Sequence, residues 1–137
     1  MTILNNTASQ SVAPGGVINA GSVVAQKGCA TIPSGNGIAI KKPGIYNVVA
    51  TVVGLVTGGG IMEYTVMENG TPIGYLTGQA YTNTGEPATI TLASHIAVNS
   101  NCCAINDNLP TIIALQNTSA TTTAVISNVT LDVTKVC

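Results

Sequence analysis

One stretch constrains this chain more than any other. Residues 44–56 read Gly-Ile-Tyr-Asn-Val-Val-Ala-Thr-Val-Val-Gly-Leu-Val, and at a two-residue side-chain period they make a strand that is apolar on both faces. Ile45, Val49, Val53 and Leu55 share one face; Tyr46, Val48, Ala50, Val52 and Val56 share the other. An antiparallel strand of that kind needs two covers, the opposite sheet of its own fold and a second partner. Uncovered, it would leave a large apolar patch on a lone sandwich of this size. The expected second cover is another copy of the chain, with Tyr46, Val48, Ala50, Val52 and Val56 as the subunit interface.

The surrounding sequence is of the same type. Val, Ile and Thr supply 48 of the 137 residues, and β-branched side chains favour strands over helices. Strands are expected at 17–26, 37–41, 44–56, 61–69, 72–82, 87–99, 109–117 and 123–136. Turn residues separate them. Asn69-Gly70 between two such runs is a hairpin signal, while Pro33-Ser34-Gly35-Asn36-Gly37 and Thr57-Gly58-Gly59-Gly60 hold residues that tolerate positive φ. No connection has room for a crossover helix, so the sheets are expected to be antiparallel. Residues 1–16 are small and polar and read as an N-terminal arm, leaving 17–137 as one β-sandwich domain.

Charge excludes several functions. The chain has four Lys+Arg, none of them arginine, five Asp+Glu and a net charge of −1. Nothing there neutralises a phosphate backbone or seeks an anionic bilayer, so neither nucleic acid nor membrane is an expected partner. The first residues, Met-Thr-Ile-Leu-Asn-Asn, lack the basic and apolar regions of a secretory signal.

Ile38-Ala39-Ile40-Lys41-Lys42-Pro43-Gly44-Ile45-Tyr46-Asn47-Val48 resembles the C1q and tumour-necrosis-factor-like jelly rolls. They share an extended segment, a Pro-Gly turn, then an apolar residue, Tyr and an alternating strand. Glu68-Asn69-Gly70 is similar to the family's Asn-Gly hairpin, Ala88 to Val98 to the strand before its polar loop, and 108–117 and 124–136 to its last two strands. The likeness spans residues 17–136, although the family's core phenylalanines are replaced here by Val, Ile and Ala. It implies an all-β, antiparallel jelly-roll sandwich of two five-stranded sheets that closes into a homotrimer.

Residues with catalytic potential are sparse. His95, the one histidine, has no motif of nucleophile and acid around it, and is read as structural; a softer reading has three copies sensing pH near a trimer axis. Glu63, Glu68, Glu86, Asp107 and Asp132 fall in separate elements, with no pairing of the kind glycosidases need. Asn106-Asp107-Asn108 lacks the spaced ligands of a calcium loop. Cys29, Cys102, Cys103 and Cys137 have no C-x-x-C spacing. Free thiols, disulfides within or between chains, and a metal held at a symmetry axis all stay open for them. No catalytic residue, cofactor or metal is assigned.

The expected function is therefore that of a non-enzymatic structural protein. It would be a homotrimeric jelly roll at the surface of a phage virion, as capsid decoration or head fibre, attached to the capsid lattice by its arm. The alternative is a receptor- or carbohydrate-binding head module of a phage fibre or of a bacterial surface or spore-coat protein. Tyr64, Tyr75 and Tyr81 would then offer stacking faces to a host-surface glycan.

Overall fold

The structure, a computed structural model, describes residues 1–98 and 110–136. Its strands are β1 (Thr2–Asn6), β2 (Gln10–Val12), β3 (Val17–Ile18), β4 (Ser22–Gln26), β5 (Thr31–Ser34), β6 (Gly37–Ile40), β7 (Gly44–Val56), β8 (Gly60–Glu68), β9 (Thr71–Thr82), β10 (Ala88–Val98), β11 (Thr111–Asn117) and β12 (Ala124–Lys135). Sheet A runs β10-β7-β12-β1-β4, with β2 also on β12; sheet B runs β5-β6-β11-β8-β9, with β3 also on β11. Every pairing is antiparallel. The two sheets face each other as an all-β jelly-roll sandwich, each a five-stranded path with one short added strand.

Local sequence explains the joints. In the β8–β9 hairpin Glu68 faces Thr71 across Asn69-Gly70. Both turn residues have positive φ, 50° and 80°, the pair that a twist-matched two-residue turn demands. Asn69 is also tied to β11: its N–H donates to the Ile112 carbonyl and its Oδ1 accepts the Ile112 N–H at 2.7 Å. Pro33 sits in β5, an edge strand of sheet B where a missing N–H is tolerated.

Residues 1–16 are not an arm. β1 lies inside sheet A between β12 and β4, with Leu4 opposite Leu131 and Thr2 opposite Val133, and Thr2 and Leu4 are buried. Its polar residues serve the sheet: the Asn5 side-chain amide donates to Asn128 Oδ1, the Val129 carbonyl and Thr130 Oγ1. The Thr2 hydroxyl meets Thr31.

The single strand expected at 17–26 is two, because the chain changes sheet between them. Gly21 makes the corner at φ +89°, where a Cβ would lie 2.2 Å from the Asn5 carbonyl oxygen.

The core lies between the sheets, and here the face assigned to β7 is corrected. Tyr46, Val48, Ala50, Val52 and Val56 point inward and are buried in a single chain, so they are not available to a neighbouring subunit. Both faces carry several apolar side chains, but Asn47 and Thr51 lie on the outward one, and the register with adjacent strands fixes the other as core. Val48, Ala50 and Val52 stand beside Val133, Leu131 and Val129 of β12, and Val52 and Tyr46 beside Ile90 and Ile96 of β10. The Tyr46 hydroxyl reaches the Lys42 carbonyl at 2.6 Å. A bulge between Ile126 and Asn128 reverses the alternation of β12. Val125, which periodicity groups with Val129, Leu131 and Val133, is thereby turned outward while Ile126 is buried.

Candidate functional site

The outward face of sheet A is the broadest candidate surface. Ile45, Asn47, Val49, Thr51, Val53 and Leu55 of β7 are all half-buried there in the single chain. Around them lie Ile3 and Asn5 of β1, Val125, Thr130 and Asp132 of β12, and Thr91, Ala93, His95 and Ala97 of β10. One cross-strand row, Thr91, Thr51, Thr130 and Asn5, is polar but internally paired. Thr91 and Thr51 share a hydroxyl bond at 3.3 Å and Asn5 donates to Thr130 at 3.1 Å. The next row, Ala93, Val49, Asp132, Ile3 and Ala25, is apolar apart from Asp132, whose Oδ1 accepts the Thr134 hydroxyl at 2.8 Å. Across β10, β7, β12 and β1, His95 and Asp132 are the ionisable side chains on this face.

The other sequence-assigned residues are scattered. Cys29 is exposed after β4 and has no disulfide partner among the described residues; Cys102, Cys103, Cys137 and Asn106-Asp107-Asn108 lie outside them. Glu63, Glu86 and Asp132 each hydrogen-bond to an uncharged neighbour, Gln79 and Thr118, Asn83, and Thr134 respectively. Among the described residues no three of His, Cys, Asp and Glu lie close enough to share a metal ion. No helix among them is long and apolar enough to cross a membrane.

Of the three tyrosines offered as stacking faces, Tyr64 is removed. It is buried on β8, and its hydroxyl reaches the carbonyls of Ala50 and Ile90 at 2.8 Å each. Burial pushes its pKa well above the ordinary value of 10.0. Tyr75 and Tyr81 stand exposed on β9, at 66% and 71%, and Tyr75 is anchored through its hydroxyl to the His95 carbonyl at 3.2 Å.

Two clefts went unnoticed in the sequence, since each is assembled from distant segments. One, about 530 Å³, gathers the amides Asn5, Asn6, Asn19 and Asn36 where β1 passes the turns before β4 and β6. The other, about 330 Å³, lies on sheet B between β8, β9 and the loop 118–123, beside Ile61, Glu63 and Gln79.

No family model and no curated protein matches the sequence. Solved structures do match in three dimensions. Murine APRIL is 14% identical at a TM-score of 0.67, covering 98% of both chains. The Eiger TNF from S. frugiperda is 12% identical at 0.69, covering 99% of this chain and 90% of that one. The PRD1 vertex protein P5 is 17% identical at 0.63, covering 99% of this chain and 72% of that one. With its two antiparallel sheets and this near-complete overlap, the chain has the tumour-necrosis-factor-like jelly-roll fold, which is also that of a phage vertex protein.

Proposed function

We propose that this chain is a non-enzymatic structural protein that forms a homotrimer through the outward face of sheet A and is displayed on a phage virion, as capsid decoration or head fibre. The observation that carries the reading is the composition of that face. It presents Ile3, Ile45, Val49, Val53, Leu55 and Val125 with a single carboxylate, in a chain with too few charges to solvate such a surface. Copies of the same sheet can cover one another: the apolar rows meet, and the threonine and asparagine row arrives with its hydrogen bonds already made. The virion setting is supported by the likeness to the PRD1 vertex protein. Because β1 belongs to the sheet, attachment falls to loops and edges rather than to an arm. Light scattering on the purified protein tests the assembly, with three chain masses expected and a monomer fatal to it. Saturable, stoichiometric binding to capsids lacking the protein tests the display role, and its absence would reject it.

A further inference from the structure

We infer that the cleft between the β8–β9 face of sheet B and the loop 118–123 binds an uncharged oligosaccharide, with Tyr81 as the stacking platform and Glu63 and Gln79 as the hydroxyl-reading pair. The site does not rest on the assembly reading, since it lies on sheet B and the proposed subunit face is on sheet A.

Its polar groups are held in place before any ligand arrives. Glu63 Oε2 accepts from Gln79 Nε2 at 2.5 Å and Oε1 accepts from the Thr118 hydroxyl at 2.7 Å. Thr118 in turn bonds Thr65 at 2.9 Å, and Thr65 bonds Thr77 at 3.0 Å. The far wall is tied down by the Thr122 hydroxyl, which donates to the Ile61 carbonyl at 2.6 Å, and by the contact between Ser119 and Thr122. Each carboxylate oxygen keeps a second lone pair. The Gln79 side-chain oxygen and the Tyr81 and Thr121 hydroxyls show no partner among the described residues. Such a set of fixed acceptors and free hydroxyls suits a ligand rich in O–H groups.

The apolar half of the site is also present. Tyr81 pairs with Ile61 across the β8–β9 ladder, two residues along the same face from the Gln79–Glu63 pair. Tyr81 is 71% and Ile61 47% exposed, so a flat ring stands uncovered beside the polar cleft. Sugar rings offer C–H faces to an aromatic plane and hydroxyls at their rims, which matches this division. The ligand's charge follows from Glu63. It is the carboxylate in the lining, which holds no Lys, Arg or His, so phosphorylated, sulfated or sialylated ligands are disfavoured.

The test probes an immobilised panel of hexose, N-acetylhexosamine and deoxyhexose oligosaccharides, with sialylated and sulfated members, using the intact protein. Uncharged members should bind. Affinity should fall about tenfold in Tyr81→Ala and in Glu63→Gln and persist in Tyr81→Phe, with the melting temperature unchanged by the exposed Tyr81 variants. No binding across the panel, retention of anionic members only, or full affinity in both Tyr81→Ala and Glu63→Gln would overturn the assignment. None of these outcomes alters the mass by light scattering or the capsid binding that test the display reading.

Discussion

The Tyr64 hydroxyl on β8 lies 2.8 Å from the Ala50 carbonyl on β7, on the opposite side of the sandwich. The same hydroxyl reaches the Ile90 carbonyl on β10 at 2.8 Å. One side chain of sheet B is thereby bonded to the main chain of two neighbouring strands in sheet A, inside the core. The single hydroxyl proton is shared between the two carbonyls, and Tyr64→Phe removes it at a buried position. The expected cost is about 1–3 kcal/mol, read as a melting temperature lower by roughly 3–9 °C. An unchanged melting temperature would show that the bond contributes nothing net.

The same burial predicts an alkaline limit. The pKa values of Tyr46 and Tyr64 are raised in the folded chain by desolvation. The unfolded chain therefore releases these protons first. Their contribution is intact below the ordinary value of 10.0 and declines as pH rises past it. Denaturant midpoints should fall above pH 10, and Tyr64→Phe should show a shallower fall than the parent. Parallel slopes would refute the assignment to Tyr64.

Gly21 should resist replacement, because it combines a positive φ with a close main-chain approach. In Gly21→Ala the new Cβ meets main chain at 2.2 Å, at φ +89°, so loss of soluble folded protein is expected. Gly28 has a similar φ of +77° but nothing within 4 Å, so Gly28→Ala should cost only about 1–2 kcal/mol. Equal effects in thermal melts would mean that backbone conformation alone, not the approach to Asn5, sets the requirement.

The standing of the first residues is directly checkable. A free arm could be removed without effect, whereas β1 fills a gap between β12 and β4. Deletion of residues 1–6 should abolish cooperative unfolding or lower the midpoint severely, and Leu4→Ala should cost about 2–5 kcal/mol. Limited proteolysis that trims these residues from a protein of unaltered stability would restore the arm.

The two faces of β7 predict different phenotypes. Val49→Glu places a charge on the outward face and should reduce the proposed assembly to monomers by light scattering while the monomer stays folded. Val48→Ala hollows the core instead, costing about 1–3 kcal/mol with the subunit number unchanged. If Val48→Ala were the variant that dissociated the assembly, the face assignment would be reversed again.

Much of the architecture was legible before any coordinates. Asn69-Gly70 marked its hairpin because few residue pairs accept two successive positive φ values. The runs from 44 to 98 marked β7 to β10 to within a residue or two because strands of 9–13 residues leave a long periodic signal. The short strands β1, β2 and β5 escaped. Three to five residues carry too little alternation, and their Asn, Thr, Gln and Pro resemble loop composition until the partners they bond are known. The clefts escaped for a related reason: Glu63, Gln79 and Thr118 are distant in the chain and meet only through the β8–β9 register and the end of β11.

What the amino-acid order determined by itself was the class: β-branched runs cut by Gly, Asn and Pro turns, with a central strand that carries apolar residues on both faces. Tertiary structure decided what packs on each face of β7. Asn47 and Thr51 already tilt one face toward solvent, but alternation within the strand does not say which segments lie against either face. That comes from neighbouring strands, as Val129, Leu131 and Val133 align with Val52, Ala50 and Val48, and one bulge near Ser127 is enough to turn Val125 the other way. Packing is a property of register between segments far apart in sequence, and register is written in no single segment.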